Sequence, residues 1–310
     1  MKNVLVTGAF GQIGSELVPA LLKKKGVKTV VAMDLRSRKA NTGAVVEVAD
    51  ITDIAAIKSI ITRHKIDTVF NLAGMLSVAS EKNPDLSWKV NLGGLKNILD
   101  LAAKHKLRVF WPSSIAAFGP TTPRDHTPQH TILEPSTIYG AAKIAGELLC
   151  QYYFLRYGVD VRSLRYPGLI TYKTEPSDGT TEYSIWMFME GLKKGFYECF
   201  LGPKSTLPMM YIDDCICGTI KLMEAPSNRI TVRTSYNFSA ISFSPEELYR
   251  EIKKHLPTLN VTYRPDYRQK IADSWPRSID DKQARKDWGW KPEFTLEKMT
   301  KEMIKNLKHV

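Results

Sequence analysis

Cysteine is scarce in this sequence. Four thiols in 310 residues cannot staple a chain of this length, so the fold must rest on a buried apolar core. Cys150 and Cys199 stand alone, and Cys215-Ile216-Cys217 is C-x-C, which is not a zinc spacing. The six histidines form no H-x-x-x-H or H-E-x-x-H pattern, and no metal site is expected. No run approaches about 20 uninterrupted apolar residues, so no membrane partner is expected. Met1-Lys2-Asn3 leads straight into Val4-Leu5-Val6. A secretory signal needs a longer apolar run, so a cytoplasmic protein is expected. Acidic residues are also in deficit, 32 against 44 basic ones, for a net charge of +12. That excess would suit nucleic acid. The basic clusters are short, however, Lys23-Lys24-Lys25 and Lys193-Lys194, and no basic stripe alternates with aromatics, so no nucleic-acid partner is expected. An anionic dinucleotide or packing between subunits accounts for the charge as well.

What is present is alternation. Short β-branched runs at Asn3–Thr7, Thr29–Asp34, Ala44–Ala49, Thr68–Ala73, Arg108–Pro112 and Asp160–Tyr166 are separated by amphipathic stretches. Those over Gln12–Lys25, Ile54–His64, Leu86–His105 and Ile138–Tyr157 read as helices. Strands apolar on both faces and separated by helices predict an α/β fold, a Rossmann-type doubly wound parallel sheet. After Pro167 the regularity fades. Stretches rich in Pro, Thr and Ser alternate with helical pieces near Ile185–Lys194, Ile212–Met223, Pro245–His255 and Lys282–Trp288. The expected division is residues 1–167 as the dinucleotide-binding domain and 168–310 as a smaller, interleaved substrate lobe. Part of 209–240, near Met209–Asp213, is expected to return to the sheet.

Thr7-Gly8-Ala9-Phe10-Gly11-Gln12-Ile13-Gly14 lies between the first strand and the first helix. Gly8 permits a tight turn, Gly11 lets the backbone approach a pyrophosphate, and Gly14 lets helix and strand pack closely. Gly8, Gly11, Gln12, Ile13 and Gly14 are therefore the expected diphosphate contacts, at a helix end whose N–H groups and dipole favour an anion. Asp34 follows Gly14 by 20 residues, with Leu35 beside it. A carboxylate there accepts from the ribose hydroxyls and repels a 2′-phosphate, which favours NAD over NADP. Arg36 and Arg38 close behind oppose that preference, since an arginine accommodates the phosphate. Asp50 is placed to meet an adenine amino group, with Ile51 packing on the ring; the alternative is that Asp50 or Asp53 caps the next helix.

Ser113-Ser114 ends the fifth strand, and Tyr139 and Lys143 lie at i and i+4 on one helical face. A phenol with a pKa near 10 is a poor base at pH 7, and a nearby ammonium stabilises its phenolate. Ser114 is placed to bind the same substrate oxygen. Tyr139 would then take a hydroxyl proton while hydride leaves the carbon.

With these segments together, the chain resembles the extended short-chain dehydrogenase/reductase family, which also holds the nucleotide-sugar epimerases. The resemblance spans essentially the whole chain: T-G-x-x-G-x-x-G at 7–14, Asp34, Asp50, Asn71-Leu72-Ala73-Gly74, Asn91, Ser113-Ser114, Tyr139-x-x-x-Lys143 and Tyr166-Pro167-Gly168. It implies NAD as cofactor and Ser114, Tyr139 and Lys143 as the catalytic set. It also implies Leu72-Ala73-Gly74 lining the cofactor, Asn91 supporting a central helix, and Tyr166-Pro167 flanking the nicotinamide. A homodimer through helices near 92–104 and 138–157 is implied as well.

Within that family the chain is most similar to members that oxidise the 3-hydroxyl of L-threonine to 2-amino-3-ketobutyrate. The segments concerned are Gly74–Ser77, Trp111–Ala116, Gly179–Tyr183, Trp275–Asp281 and Asp287–Trp290. If that carries over, Ser77, Ser113, Ser114, Tyr139, Thr180, Thr181 and Trp275 line an amino-acid pocket. Met75 departs from the pattern, where a smaller residue is expected. Two other readings stay open at this point. One is a nucleotide-sugar epimerase or dehydratase, for which Arg229, Arg233, Arg264 and Arg277 would offer a diphosphate clamp. The other is a non-catalytic NAD-sensing regulator.

Overall fold

The computed structural model describes residues 1–37 and 43–308, and the chain divides into two compact units. The first gathers Met1–Ala117, Thr137–Arg165 and Thr219–Tyr236; the second gathers Phe118–Ser136, Tyr166–Gly218 and the chain from Asn237 onward. Residues 118–136 thus belong with the second unit, which the sequence did not suggest, and 219–236 with the first, within the 209–240 stretch expected to return to the sheet.

The first unit is built on β1 (Asn3–Thr7), α1 (Gly14–Leu22), β2 (Thr29–Asp34), β3 (Val45–Val48), α2 (Ile54–Arg63), β4 (Thr68–Asn71), α3 (Ser77–Lys82), α4 (Pro84–Trp88), α5 (Gly94–His105), β5 (Arg108–Ser114), α6 (Ile138–Tyr157) and β6 (Val161–Tyr166). Its strands join a seven-stranded sheet ordered β10-β6-β5-β4-β1-β2-β3, where β10 is Tyr236–Asn237. β1 pairs in parallel with both β2 and β4, so the order reverses between β1 and β4. In open α/β sheets that reversal is where ligands bind, beyond the carboxyl ends of the strands. Leu5, Val31, Val69 and Val109 are fully buried in the strands, and Ile57, Leu95, Ile98 and Leu99 cover them from α2 and α5.

Two features depart from the expected pattern. The helix foreseen over Leu86–His105 is interrupted by a π-helical turn at Lys89–Gly93. Asn91 in that turn accepts from Met75 N at 2.7 Å and donates to Met75 O at 3.1 Å and to Ser87 Oγ at 3.1 Å, tying the turn after β4 to this helix. β6, foreseen as apolar, carries the buried Arg162, Ser163 and Arg165. Arg162, Arg108 and Arg233 all converge on Asp160. Burial alone would raise that carboxyl, but the hydrogen bonds and charge of Arg162, with Arg233 and Arg108, hold it near 2. Ser163 and Ser235 share a hydrogen bond at 2.5 Å.

The second unit holds β7 (Gly168–Ile170), α7 (Tyr183–Lys194), β8 (Phe196–Cys199), β9 (Leu207–Tyr211), α8 (Ile212–Glu224), β11 (Ile241–Phe243), α9 (Pro245–Lys253), β12 (Asn260–Tyr263), α10 (Arg268–Asp273), α11 (Lys282–Trp288) and α12 (Leu296–Leu307). α8 begins here and ends in the first unit. β9 lies between β11 and β7 in a three-stranded sheet. That pairing takes up the segment near Met209–Asp213, and β10 is the strand that adds to the main sheet instead. Phe238, Trp288 and Trp290 stack in one cluster, with Phe238 and Trp290 centroids 4.4 Å apart. Among the described residues, no helix is long and apolar enough to cross a membrane, and no cluster of His, Cys, Asp or Glu is arranged to hold a metal.

Candidate active site

At the carboxyl end of β1 the chain turns through Gly8, whose φ of +62° favours glycine. A Cβ there would lie 2.8 Å from Ala73 N, because the turns after β1 and β4 touch. Thr7 fastens them together: its hydroxyl donates to Asn71 Oδ1 at 2.7 Å and accepts from Ala73 N at 3.1 Å. A Cβ on Gly14 would stand 2.4 Å from Gly8 O. Gly11 differs from both, since a Cβ there would meet nothing nearer than Gly8 O at 3.4 Å. No protein atom demands glycine at that place, so the open face before it is room for a ligand. Ile13, at the N-cap of α1, makes no side-chain cap, which leaves the first turn suited to an anion. The loop therefore fits a dinucleotide diphosphate, with Gln12 and Ile13 in its first turn.

Asp34 ends β2 and is aimed at this loop, accepting from Phe10 N at 3.0 Å and from Leu35 N at 2.8 Å. Leu35 beside it is exposed. Arg38 lies outside the described residues. Of Asp50 and Asp53, it is Asp53 that takes the capping role on α2, accepting from Ala55 N and Ala56 N. Asp50 is exposed and accepts from Thr52 N at 2.8 Å. Ile51 is placed otherwise than expected. Its side chain is buried against Gly94 of α5, where a Cβ would sit 2.9 Å from it, so it packs in the core rather than on an adenine ring.

The chemistry-bearing residues meet where β5 approaches α6. Thr137 caps α6 by accepting from Gly140 N at 3.1 Å, which starts the helix one residue before Tyr139. Gly146 brings the helix close, for a Cβ there would lie 2.3 Å from the Trp111 ring. Lys143 Nζ donates to Pro112 O at 2.5 Å and sits 4.6 Å from the Trp111 ring centre and 5.2 Å from that of Tyr139. Ser114 Oγ accepts from Ala116 N at 3.1 Å. Burial pushes the Tyr139 phenol up to about 12, with the nearby Ser114 side chain pulling the other way. Burial also draws the Lys143 ammonium down to about 7, against the charge of Glu147. The sequence suggested that a nearby ammonium, with the positive nicotinamide ring, makes the phenol acidic; within the protein itself, burial is the larger influence on both groups.

Ser113, expected beside the substrate, is engaged elsewhere. It is buried, and its hydroxyl donates to Glu147 Oε1 at 2.6 Å. Glu147 also accepts two bonds from Arg165, at 2.9 and 2.8 Å. Neither residue was singled out from sequence. The available signal was a carboxylate at i+4 from Lys143 on the buried face of the helix.

The turn after β4 is held by Asn91, which leaves Leu72 and Ala73 partly exposed and Gly74 open. Ser77 follows at the start of α3, partly buried. Met75 is the residue whose backbone Asn91 grips.

The residues expected to flank the nicotinamide, Tyr166 and Pro167, and the remaining substrate candidates lie in the second unit. Tyr166 is buried against Phe238, 5.9 Å between centroids, and Pro167 follows it, also buried. Thr180 is buried with a hydroxyl that has no protein partner. The Thr181 methyl stands 2.7 Å from where a Gly168 Cβ would be, and Trp275 is nearly buried, its carbonyl accepting from Arg124. Of the arginines considered for a diphosphate clamp, Arg233 is held by Asp160 and the Ser227 carbonyl, Arg277 by Asp125, and Arg264 pairs with Glu198 at 4.0 Å.

Comparison with known proteins agrees with this geometry. Residues 4–238 match the NAD dependent epimerase/dehydratase family. A mitochondrial L-threonine 3-dehydrogenase of Bos taurus is 46% identical over 98% of this chain and 82% of its own length. The solved GalE-like L-threonine dehydrogenase of Cupriavidus necator, in its holo form, superposes with a TM-score of 0.96 at 46% identity, covering 98% of this chain and 99% of that one. A monomeric L-threonine 3-dehydrogenase from a metagenome, in its apo form, superposes at 0.95 with 49% identity, covering 99% of each chain.

Proposed function

This chain belongs to the NAD dependent epimerase/dehydratase family, and from that premise we propose that it is an NAD-dependent L-threonine 3-dehydrogenase. The reaction is oxidation of the 3-hydroxyl to 2-amino-3-ketobutyrate. The cofactor, when bound, supplies the acceptor for the hydride on C3 and a positive ring beside the phenol. Tyr139 takes the proton from the 3-hydroxyl, Ser114 orients that oxygen, and Lys143 supplies the charge that makes a phenolate tolerable. Gly8, Gly11 and Gly14 admit the diphosphate, and Asp34 receives the ribose. Ser77, Thr180, Thr181 and Trp275 are assigned to the amino acid, the unpartnered Thr180 hydroxyl among them. The observation that carries the reading is the Lys143 ammonium 5.2 Å from the Tyr139 ring, docked on the Pro112 carbonyl of the strand that ends at Ser114. The test is to mix the protein with NAD⁺ and L-threonine and follow NADH by its absorbance. A steady rise is expected; none with threonine or serine would refute the assignment.

Asp34→Ala is expected to weaken NAD⁺ binding and to relax discrimination against NADP⁺ by about tenfold, the scale of one charged hydrogen bond. Initial rates with each dinucleotide measure this, and an unchanged preference contradicts the ribose contact.

The solvent face of α6 carries Leu148, Tyr152, Leu155 and Tyr157, all more than half exposed. We assign this face, with α5, to a second copy of the chain. Sedimentation should show a dimer that Leu155→Glu splits into monomers; a monomeric parent protein would remove the assignment. The buried thiols Cys150 and Cys199 suit a reducing compartment such as the cytoplasm.

A further inference from the structure

Lys143 has work that requires its charge, and its surroundings oppose that charge. It is buried between the Trp111 and Tyr139 rings, with a backbone carbonyl as its hydrogen-bond acceptor. The charged and titratable groups acting on it are Glu147 and Cys150 from its own helix, with the Tyr139 phenol alongside. From β5 come only the Pro112 carbonyl and the Trp111 ring, both uncharged. Burial keeps the Cys150 thiol protonated. Among the described residues, Glu147 is then the one carboxylate acting on the ammonium. A buried carboxylate needs a cation or hydrogen-bond donors beside it. Arg165 supplies a two-pronged contact, and Ser113 adds a third donor. Lys143 and Glu147 also dock on consecutive residues of one strand, Pro112 and Ser113, so the four side chains share one rigid seat.

We propose that Glu147 is a positioning residue for proton transfer: fixed as a carboxylate by Arg165 and Ser113, it keeps the Lys143 ammonium charged beside the Tyr139 phenol. The row Arg165, Glu147, Lys143 alternates in sign from β6 through α6 to the reacting hydroxyl. This inference rests on the dehydrogenase reading above. It also gives the adjacent serines separate tasks, Ser113 serving the carboxylate and Ser114 the substrate oxygen.

The test is the pH profile of kcat/KM for L-threonine in Glu147→Gln. Activity rises as Tyr139 loses its proton and falls as Lys143 loses its own. With the carboxylate gone, Lys143 loses its proton more easily, and the falling limb should move down by about one pH unit or more. The rate on that limb then drops ~10-fold, since one unit is a tenfold change in protonation. Affinity for NADH should stay within about twofold, and Glu147→Asp should restore most of the profile. Glu147→Gln alone leaves Arg165 buried without its anion. If it does not fold, the double variant Glu147→Gln with Arg165→Met removes both charges and should move the falling limb in the same direction. Titration of Lys143 by NMR, without substrate, reads the same quantity and should fall by about one pH unit in either variant. If the parent protein makes no NADH from L-threonine, the dehydrogenase reading has failed while this titration still judges the charge chain. A folded variant with a uniformly lower rate, unmoved limbs and an unmoved lysine titration overturns the proposal.

Discussion

Tyr139→Phe is expected to lower turnover of L-threonine by ~10²-fold or more, the range lost with a general base, while NAD⁺ binds as before. The ring stays, so the packing of Lys143 over it survives and the fold should be unchanged. What disappears is the phenolic oxygen assigned to accept the proton. Because burial sets the phenol high, near 12, the substituted protein has no alternative of similar basicity among the residues of this seat: Lys143 is spent on the Pro112 carbonyl and Cys150 is held protonated. Single-turnover rates separate the loss of chemistry from any change in binding. Activity within a few-fold of the parent would mean that another group takes the proton and that the roles given to Ser114 and Lys143 are wrong as well.

Gly14→Ala should damage both stability and binding. The added methyl would stand 2.4 Å from Gly8 O and 2.7 Å from Ala9 carbons, all backbone. Flexible side chains can step aside, but here α1 itself must retreat from the turn. Overpacking of this kind costs about 3 kcal/mol, and the retreat also moves the helix end away from the diphosphate. A lower midpoint in chemical denaturation and a more than tenfold weaker NAD⁺ are expected together. Gly11→Ala is the control, because its methyl meets only one atom at 3.4 Å. It should fold like the parent and lose affinity alone. Equal stability of Gly14→Ala and the parent would show that the turn is not the tight seat described.

Much of the first unit was legible because each of its elements declares itself locally. β1, β2 and β4 are apolar on both faces, as a parallel sheet requires, and the glycine turn has a reason at every glycine. Asp34, Tyr139 and Lys143 could be placed because strand ends and helical spacing are short-range geometry. The interruption at Lys89–Gly93 was not legible, since its cause, the grip of Asn91 on Met75, is a contact between distant segments. The same holds for β6, expected as an apolar strand, whose buried Arg162 and Arg165 are accounted for by Asp160 and Glu147 beside them. Ile51 went astray because a single aliphatic residue cannot announce whether it faces a ligand or Gly94. α12, by contrast, was missed although Met299, Met303 and Ile304 have helical spacing and are buried; the signal was there. β8 with β12 and β11 with β9 are strands of three to five residues, too short to stand out.

The position of β10 sets a timetable for synthesis. This strand, at Tyr236–Asn237, closes one edge of a sheet whose neighbouring strand is β6, and Arg233 and Ser235 just before it bond Asp160 and Ser163. A nascent chain on the ribosome therefore holds an unfinished sheet with an open border for the whole time residues 167 to 235 are being added. Until then that border is exposed to strand pairing with other molecules. Rare-codon pauses placed in that interval should favour aggregation, and pauses placed after residue 240 should not.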